Sequence, residues 1–148
     1  MKTTLIPPLV FLLCLIAMVG LTMNFTQFAF LPTPWNYTGF FLFFGGLAMV
    51  GTGLRKFNAL ATEIHTFKSP KKLVTNGLFR YSRNPIYLGF TLALLGAATV
   101  LGNGMAYAGA GLFFLTAHFW YIPFEEKNMT AVFGTAYLEY KKKVRRWV

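Results

Sequence analysis

The chain has 148 residues, 55% of them apolar, with a formal net charge of +10. Only 12% are charged, about half the roughly 25% of a soluble domain, so a chain of one domain's length cannot hide its apolar surface from water. Its 14 Lys and Arg lie outside the apolar runs and flank them, which excludes a soluble nucleic-acid-binding domain and points to membrane-flanking loops.

The first apolar run, about Leu5 to Met23, is long enough to cross a bilayer, which takes about 20 residues. Lys2 precedes it as in a secretory leader, but the run is long, holds Pro7-Pro8 and is followed by no small-residue cleavage site, so a retained span is expected. The single cysteine, Cys14, lies inside it as a small apolar filler; it leaves no intrachain disulfide and no thiol metal site. The second run spans about Asn36 to Leu54, and Gly51-Thr52-Gly53 at its end eases helix packing.

The third run starts at Pro85 and ends at Leu101. Asn84 followed by Pro85 predicts a helix start, with an N-cap side chain and proline at the first helical position. Free N–H groups there, with Arg80 and Arg83 just before them, make an anion site or a headgroup anchor. Tyr87 lies in the first turn, and Gly89 lets a ligand or another helix approach the backbone. Gly102-Asn103-Gly104 then predicts a tight turn into a fourth run, Met105 to Phe124.

His118, near the end of that run, is seven residues before Glu125 and so expected on the same helical face. It reads either as a satisfied structural histidine or as a base. Glu125-Glu126 puts two of the four acids at the span boundary; one can meet a ligand while the other holds an arginine. Beyond them, Met129, Val132, Phe133, Ala136, Tyr137, Tyr140 and Val144 recur at three- and four-residue spacing, predicting an amphipathic helix on the membrane or over the bundle.

With four spans every Lys and Arg falls on one side, and the loops 24–35 and 102–104 carry no charge. The positive-inside rule makes that side cytoplasmic, with both termini inside. The expected fold is therefore an all-α polytopic membrane domain over residues 1–148: four transmembrane helices and a C-terminal amphipathic cytoplasmic helix. No metal-ligand cluster is visible. A transporter is disfavoured because no Asp, Glu, Lys or Arg lies deep in a span. A scaffold would leave the polar motifs unexplained.

Those motifs carry a resemblance. Leu73, Val74, Thr75, Gly77, Arg80, Arg83, Asn84, Pro85, Tyr87 and Gly89 resemble a signature of the isoprenylcysteine carboxyl methyltransferase and phospholipid N-methyltransferase superfamily. Glu125-Glu126, Phe133-Gly134, Tyr137 and Tyr140 match its second signature, and Val144-Arg145-Arg146-Trp147 is similar to its ending. The resemblance implies a cytoplasmic S-adenosylmethionine site built from about 73–89 and 118–147, with S-adenosylhomocysteine as product. It implies cofactor contacts from Arg83, Asn84, Pro85, Tyr87, Gly89, Glu125, Glu126 and Tyr137. Arg83 and His118 are then the candidate catalytic residues, acting on a lipid or other lipophilic acceptor, in an integral protein of a bacterial inner membrane. Many eukaryotic members have Arg-His-Pro where this chain has Arg83-Asn84-Pro85, which weakens any transfer of prenylcysteine specificity. The acceptor and the oligomeric state stay open.

Overall fold

A computed structural model describes residues 6–59 and 72–148. Lys2, Leu5, Glu63, Lys68 and Lys71 lie outside the described residues. The described chain is helical, and its one β-type contact is an isolated bridge between Ala29 and Asn103.

Helix α1 (Pro7–Asn24) begins on a proline pair, whose fixed φ and missing N–H suit the first turn. Helix α2 (Gly39–Ala59) follows a 3₁₀ turn at Trp35–Thr38 and carries Lys56 in its last turn, where a cation complements the helix dipole. The stretches Pro7–Asn24 and Trp35–Ala59 are long and apolar enough to cross a membrane; Pro85–Leu101 is apolar but shorter.

Helix α3 (Pro85–Leu101) has the expected bounds and ends on Gly102 at φ 65, whose N–H bonds to Ala98 O and Thr99 O. This left-handed stop is the one glycine accepts without strain. The uncharged end is stitched by Phe30 N–H to Gly102 O, Asn103 Nδ2 to Phe25 O and Asn36 Nδ2 to Val100 O.

Helices α2 and α3 make the most extensive helix pair. Gly39, Gly46 and Gly53 recur every seven residues along α2, and facing them on α3 are Gly96, Gly89 and Ile86. Small residues at such a seam let two backbones touch. Of the pair flagged near the end of α2, Gly53 packs on Ile86 while Gly51 has open space. Between α1, α3 and the following helix, Phe11, Phe90 and Phe113 form an aromatic knot, with Phe11–Phe90 centroids 4.9 Å apart.

The fourth apolar run is helical but not regular. Helix α4 (Tyr107–Thr116) passes through a π turn (Ala117–Tyr121) into α5 (Ile122–Phe133). Pro123 has no N–H to return to the Phe119 carbonyl, and a wide turn just before it absorbs the missing bond. The path then breaks at Gly134 (φ 53, ψ −125) before α6 (Thr135–Lys143). The single amphipathic stripe expected over 129–144 is thus two helices. Tyr137 and Tyr140 are buried, whereas Val132 is exposed.

The outer surface is apolar: Ile16, Phe41, Phe44, Phe119 and Trp120 are all more than half exposed. So large an exposed apolar surface suits lipid rather than water.

Candidate active site

The chain enters α3 through a folded turn. Gly77 (φ 65) starts a 3₁₀ turn, Gly77–Arg80, and the N–H groups of Tyr81 and Ser82 both bond to Leu78 O. This directs Phe79 inward against Phe57, ring centroids 5.2 Å apart. It also separates the two arginines read as anion ligands. Arg80 is exposed, whereas the Arg83 side chain is only 8% exposed.

Arg83 meets Glu126. Its Nη1 is 3.0 Å from Glu126 Oε1. The same carboxylate takes Arg146 through Nη2 (2.9 Å) and Nε (3.2 Å), and Lys141 Nζ at 3.3 Å. Burial by itself would raise the Glu126 carboxyl; the Arg146 hydrogen bond and the charges of Arg83, Arg146 and Lys141 outweigh it and hold the group below the usual carboxylate range.

One carboxylate does not satisfy this much donor capacity. Arg83 Nε and Nη1 are buried and have no hydrogen-bond acceptor, since Nη1 lies close to Glu126 but off the line of a hydrogen bond. Buried guanidinium N–H groups without acceptors are rare and mark a place where an anionic ligand fits.

The neighbouring acid has a separate task. Glu125 Oε1 accepts from Tyr87 Oη at 2.8 Å, and the Tyr87 ring stacks on Tyr121 (centroids 5.8 Å, planes 12° apart). Tyr140 Oη donates to Phe79 O at 2.6 Å, which fastens α6 over the turn. Burial, with Tyr137 beside it, pushes the Tyr140 hydroxyl up to about 12, and burial with the Glu126 charge raises Tyr137. Both phenols therefore stay protonated at neutral pH and serve as donors.

Arg83, Asn84, Pro85, Tyr87, Glu125, Glu126 and Tyr137 all line one cavity of about 470 Å³. That size is in the range of small-molecule sites. Its other walls come from Pro7 on α1, Leu54 and Phe57 on α2, Phe90 on α3 and Met129 on α5. One end is thus charged and the other apolar. Among the described residues no cluster of His, Cys, Asp and Glu can hold a metal ion.

Three expectations about individual residues come out differently. Asn84 stands at the N-cap position of α3, but its side chain makes no cap bond. Its Nδ2 donates instead to Arg146 O at 3.0 Å, because the segment after α6 lies within reach. Gly89 is not in the cavity wall; a Cβ there would sit 2.7 Å from Gly46 O, so helix packing explains this glycine. His118 does not join the other site residues either. The π turn inserts a residue between it and Glu125, which turns it from the shared face by roughly 100°. Its Nδ1 accepts from the Trp147 indole at 3.0 Å. Sequence reasoning missed what Arg146 does, although two acids beside so many cations, with a basic ending, carried the signal.

Residues 35–136 match the family model described as phospholipid methyltransferase. The chain belongs to this family, and is thereby a member of a methyltransferase superfamily that includes the isoprenylcysteine enzymes. An uncharacterized protein of Haemophilus influenzae is 40% identical over 63 residues, 43% of this chain and 100% of that protein. The protein-S-isoprenylcysteine O-methyltransferase of Schizosaccharomyces pombe is 37% identical over 75 residues, 49% of this chain but 30% of the yeast protein. Methanethiol S-methyltransferase 1 of Bradyrhizobium diazoefficiens is 30% identical over 76 residues, 51% of this chain and 26% of that enzyme. The chain therefore spans under a third of these two named enzymes. No solved structure matches it significantly.

Proposed function

We propose that this protein transfers a methyl group from S-adenosylmethionine to a lipophilic acceptor at the cytoplasmic face of a membrane, in bacteria the inner membrane. The observation that carries this reading is the cavity itself. Two motifs some 40 residues apart in sequence, around Arg83–Tyr87 and Glu125–Glu126, close on one space with unsatisfied guanidinium donors in its wall. The family membership supplies the reaction class.

The residues suit the cofactor. Arg83, just before the N-terminal end of α3, is placed for a carboxylate through N–H groups that have no hydrogen-bond acceptor. Glu125 and Tyr87 offer polar partners for an ammonium group or ribose hydroxyls. Tyr137 and Tyr87 present aromatic faces that favour a sulfonium. Bound S-adenosylmethionine would supply an electrophilic methyl. The protein's part is to align the acceptor with it and to keep water out, and apolar walls such as Leu54, Ile86 and Phe90 serve that end. An acceptor with an apolar body can enter from the side where α1 and α2 line the cavity.

The same reading places the molecule in the bilayer. Helices α1, α2 and α3 and the α4–α5 path would make four crossings, with the basic residues and the cavity on the cytoplasmic side. The relatives' names include a carboxylate and a thiol acceptor, so the acceptor class is best found by product.

The test uses membranes holding the protein and S-adenosylmethionine labelled in its methyl group. Label is expected in the organic-extractable fraction, above membranes holding the Arg83→Ala protein. Equal label in both would overturn the reading.

A further inference from the structure

The segment after α6 has no part in the chemistry proposed so far, yet it touches the entry to α3, α4, the π turn and α5. At Val144 the chain becomes extended and runs back over the entry to α3. Arg145 O accepts from Arg83 N–H at 3.0 Å, and Arg146 O accepts from Asn84 Nδ2 at 3.0 Å. The Arg146 guanidinium then grips Glu126 on α5. Trp147 ends this strap in the bundle, stacked on Phe114 at 4.7 Å and donating its indole N–H to His118 Nδ1 at 3.0 Å.

The bonds differ in what can replace them. Arg146 is partly exposed and pairs where water competes. The Trp147 indole sits among Phe114 and the His118 ring, where a donor that loses its acceptor is costly. Trp147 adds ring stacking to its part-buried hydrogen bond, which makes it the firmest hold of the strap on the bundle. Arg83 and Arg146 share Glu126, so the position of the strap fixes how the Arg83 guanidinium is presented to the cavity.

We infer that Trp147 and His118 are positioning residues: their indole–imidazole hydrogen bond latches residues 144–147 across the site and so holds Arg83 and Arg146 on Glu126 in the cofactor-binding arrangement. His118 serves by the lone pair on Nδ1, which puts its proton on Nε2. The effect on cofactor affinity rests on the function proposed above; the latch itself does not.

The experiment compares Trp147→Phe, His118→Phe and His118→Gln with the parent protein in detergent. Glutamine accepts the indole N–H but cannot act as a base. Phenylalanine keeps a stacking ring and accepts nothing. Two readouts are taken: affinity for S-adenosylhomocysteine, and hydrogen exchange at the Arg83 amide, which the strap protects. Trp147→Phe and His118→Phe should weaken binding about tenfold, the worth of one hydrogen bond, and speed exchange at Arg83. His118→Gln should stay within about threefold of the parent in both. Unchanged exchange in Trp147→Phe, or identical behaviour of the two His118 variants, would overturn the latch. Methyl transfer lost in His118→Gln with binding kept would assign His118 to the chemistry and also overturn it. A parent protein that binds no S-adenosylhomocysteine would refute the proposed function, while the exchange data would still decide the latch.

Discussion

Replacing Glu126 by alanine should strip the charged end of its organising group and cost on the order of 3 kcal/mol, with loss of cofactor binding. The figure follows from what is left behind. Arg83, 8% exposed, would keep a buried charge with no counter-ion, and breaking such a pair costs about 3–5 kcal/mol. Lys141 and Arg146, with side chains 43% and 30% exposed, fall back on solvent and add little. The same carboxylate sets an acid limit. Its pKa is lowered in the folded protein, so its stabilisation is present above the unfolded carboxyl value and is lost as pH falls through the folded one. Thermal unfolding in detergent from neutral pH into the acid range should show the parent losing stability below the ordinary carboxylate range. The Glu126→Gln protein should start lower and lack that component. Parallel pH curves for the two would contradict the role given to Glu126.

Gly46→Leu should separate the two helices that carry the site. A Cβ at Gly46 would lie 2.5 Å from both Ala93 N and Gly89 O. These are backbone atoms of a continuous helix and cannot step aside, so the penalty belongs at the top of the overpacking range, about 3 kcal/mol. Gly45 is the internal control, because a Cβ there meets nothing within 4 Å. Gly45→Leu should be close to neutral in thermal stability. Equal melting of the two variants would refute the packing role of the seven-residue glycine spacing.

Much of this was legible from the sequence where local chemistry decides. Pro85 and Gly102 mark the ends of α3 because one lacks an N–H and the other accepts a left-handed turn. The pairing of Glu126 with Arg83 was within reach, since a buried acid near a membrane boundary needs a cation and the chain is rich in them. The reading failed where one residue shifts a register. Periodicity placed His118 on the face of Glu125, but the π turn ahead of Pro123 turned it away. Gly134 interrupted a hydrophobic stripe whose spacing ran straight through it; a glycine inside a helical pattern was the available warning. Asn84 was expected to cap its own helix. It bonds to Arg146 O because residues 62 apart in sequence meet there, and no local pattern reports that. Gly89 left two readings open, a ligand or a helix, and only the position of Gly46 decides between them.

On the function proposed here, the cavity between the two motifs binds S-adenosylmethionine through Arg83. The most direct test is calorimetric titration of the detergent-purified protein with S-adenosylhomocysteine. Saturable binding at one site per chain is expected, lost in the Arg83→Ala protein and kept in Arg80→Ala, whose side chain is exposed and does not line the cavity. A folded parent protein that shows no binding, or an Arg83→Ala protein that binds as tightly as the parent, would contradict it.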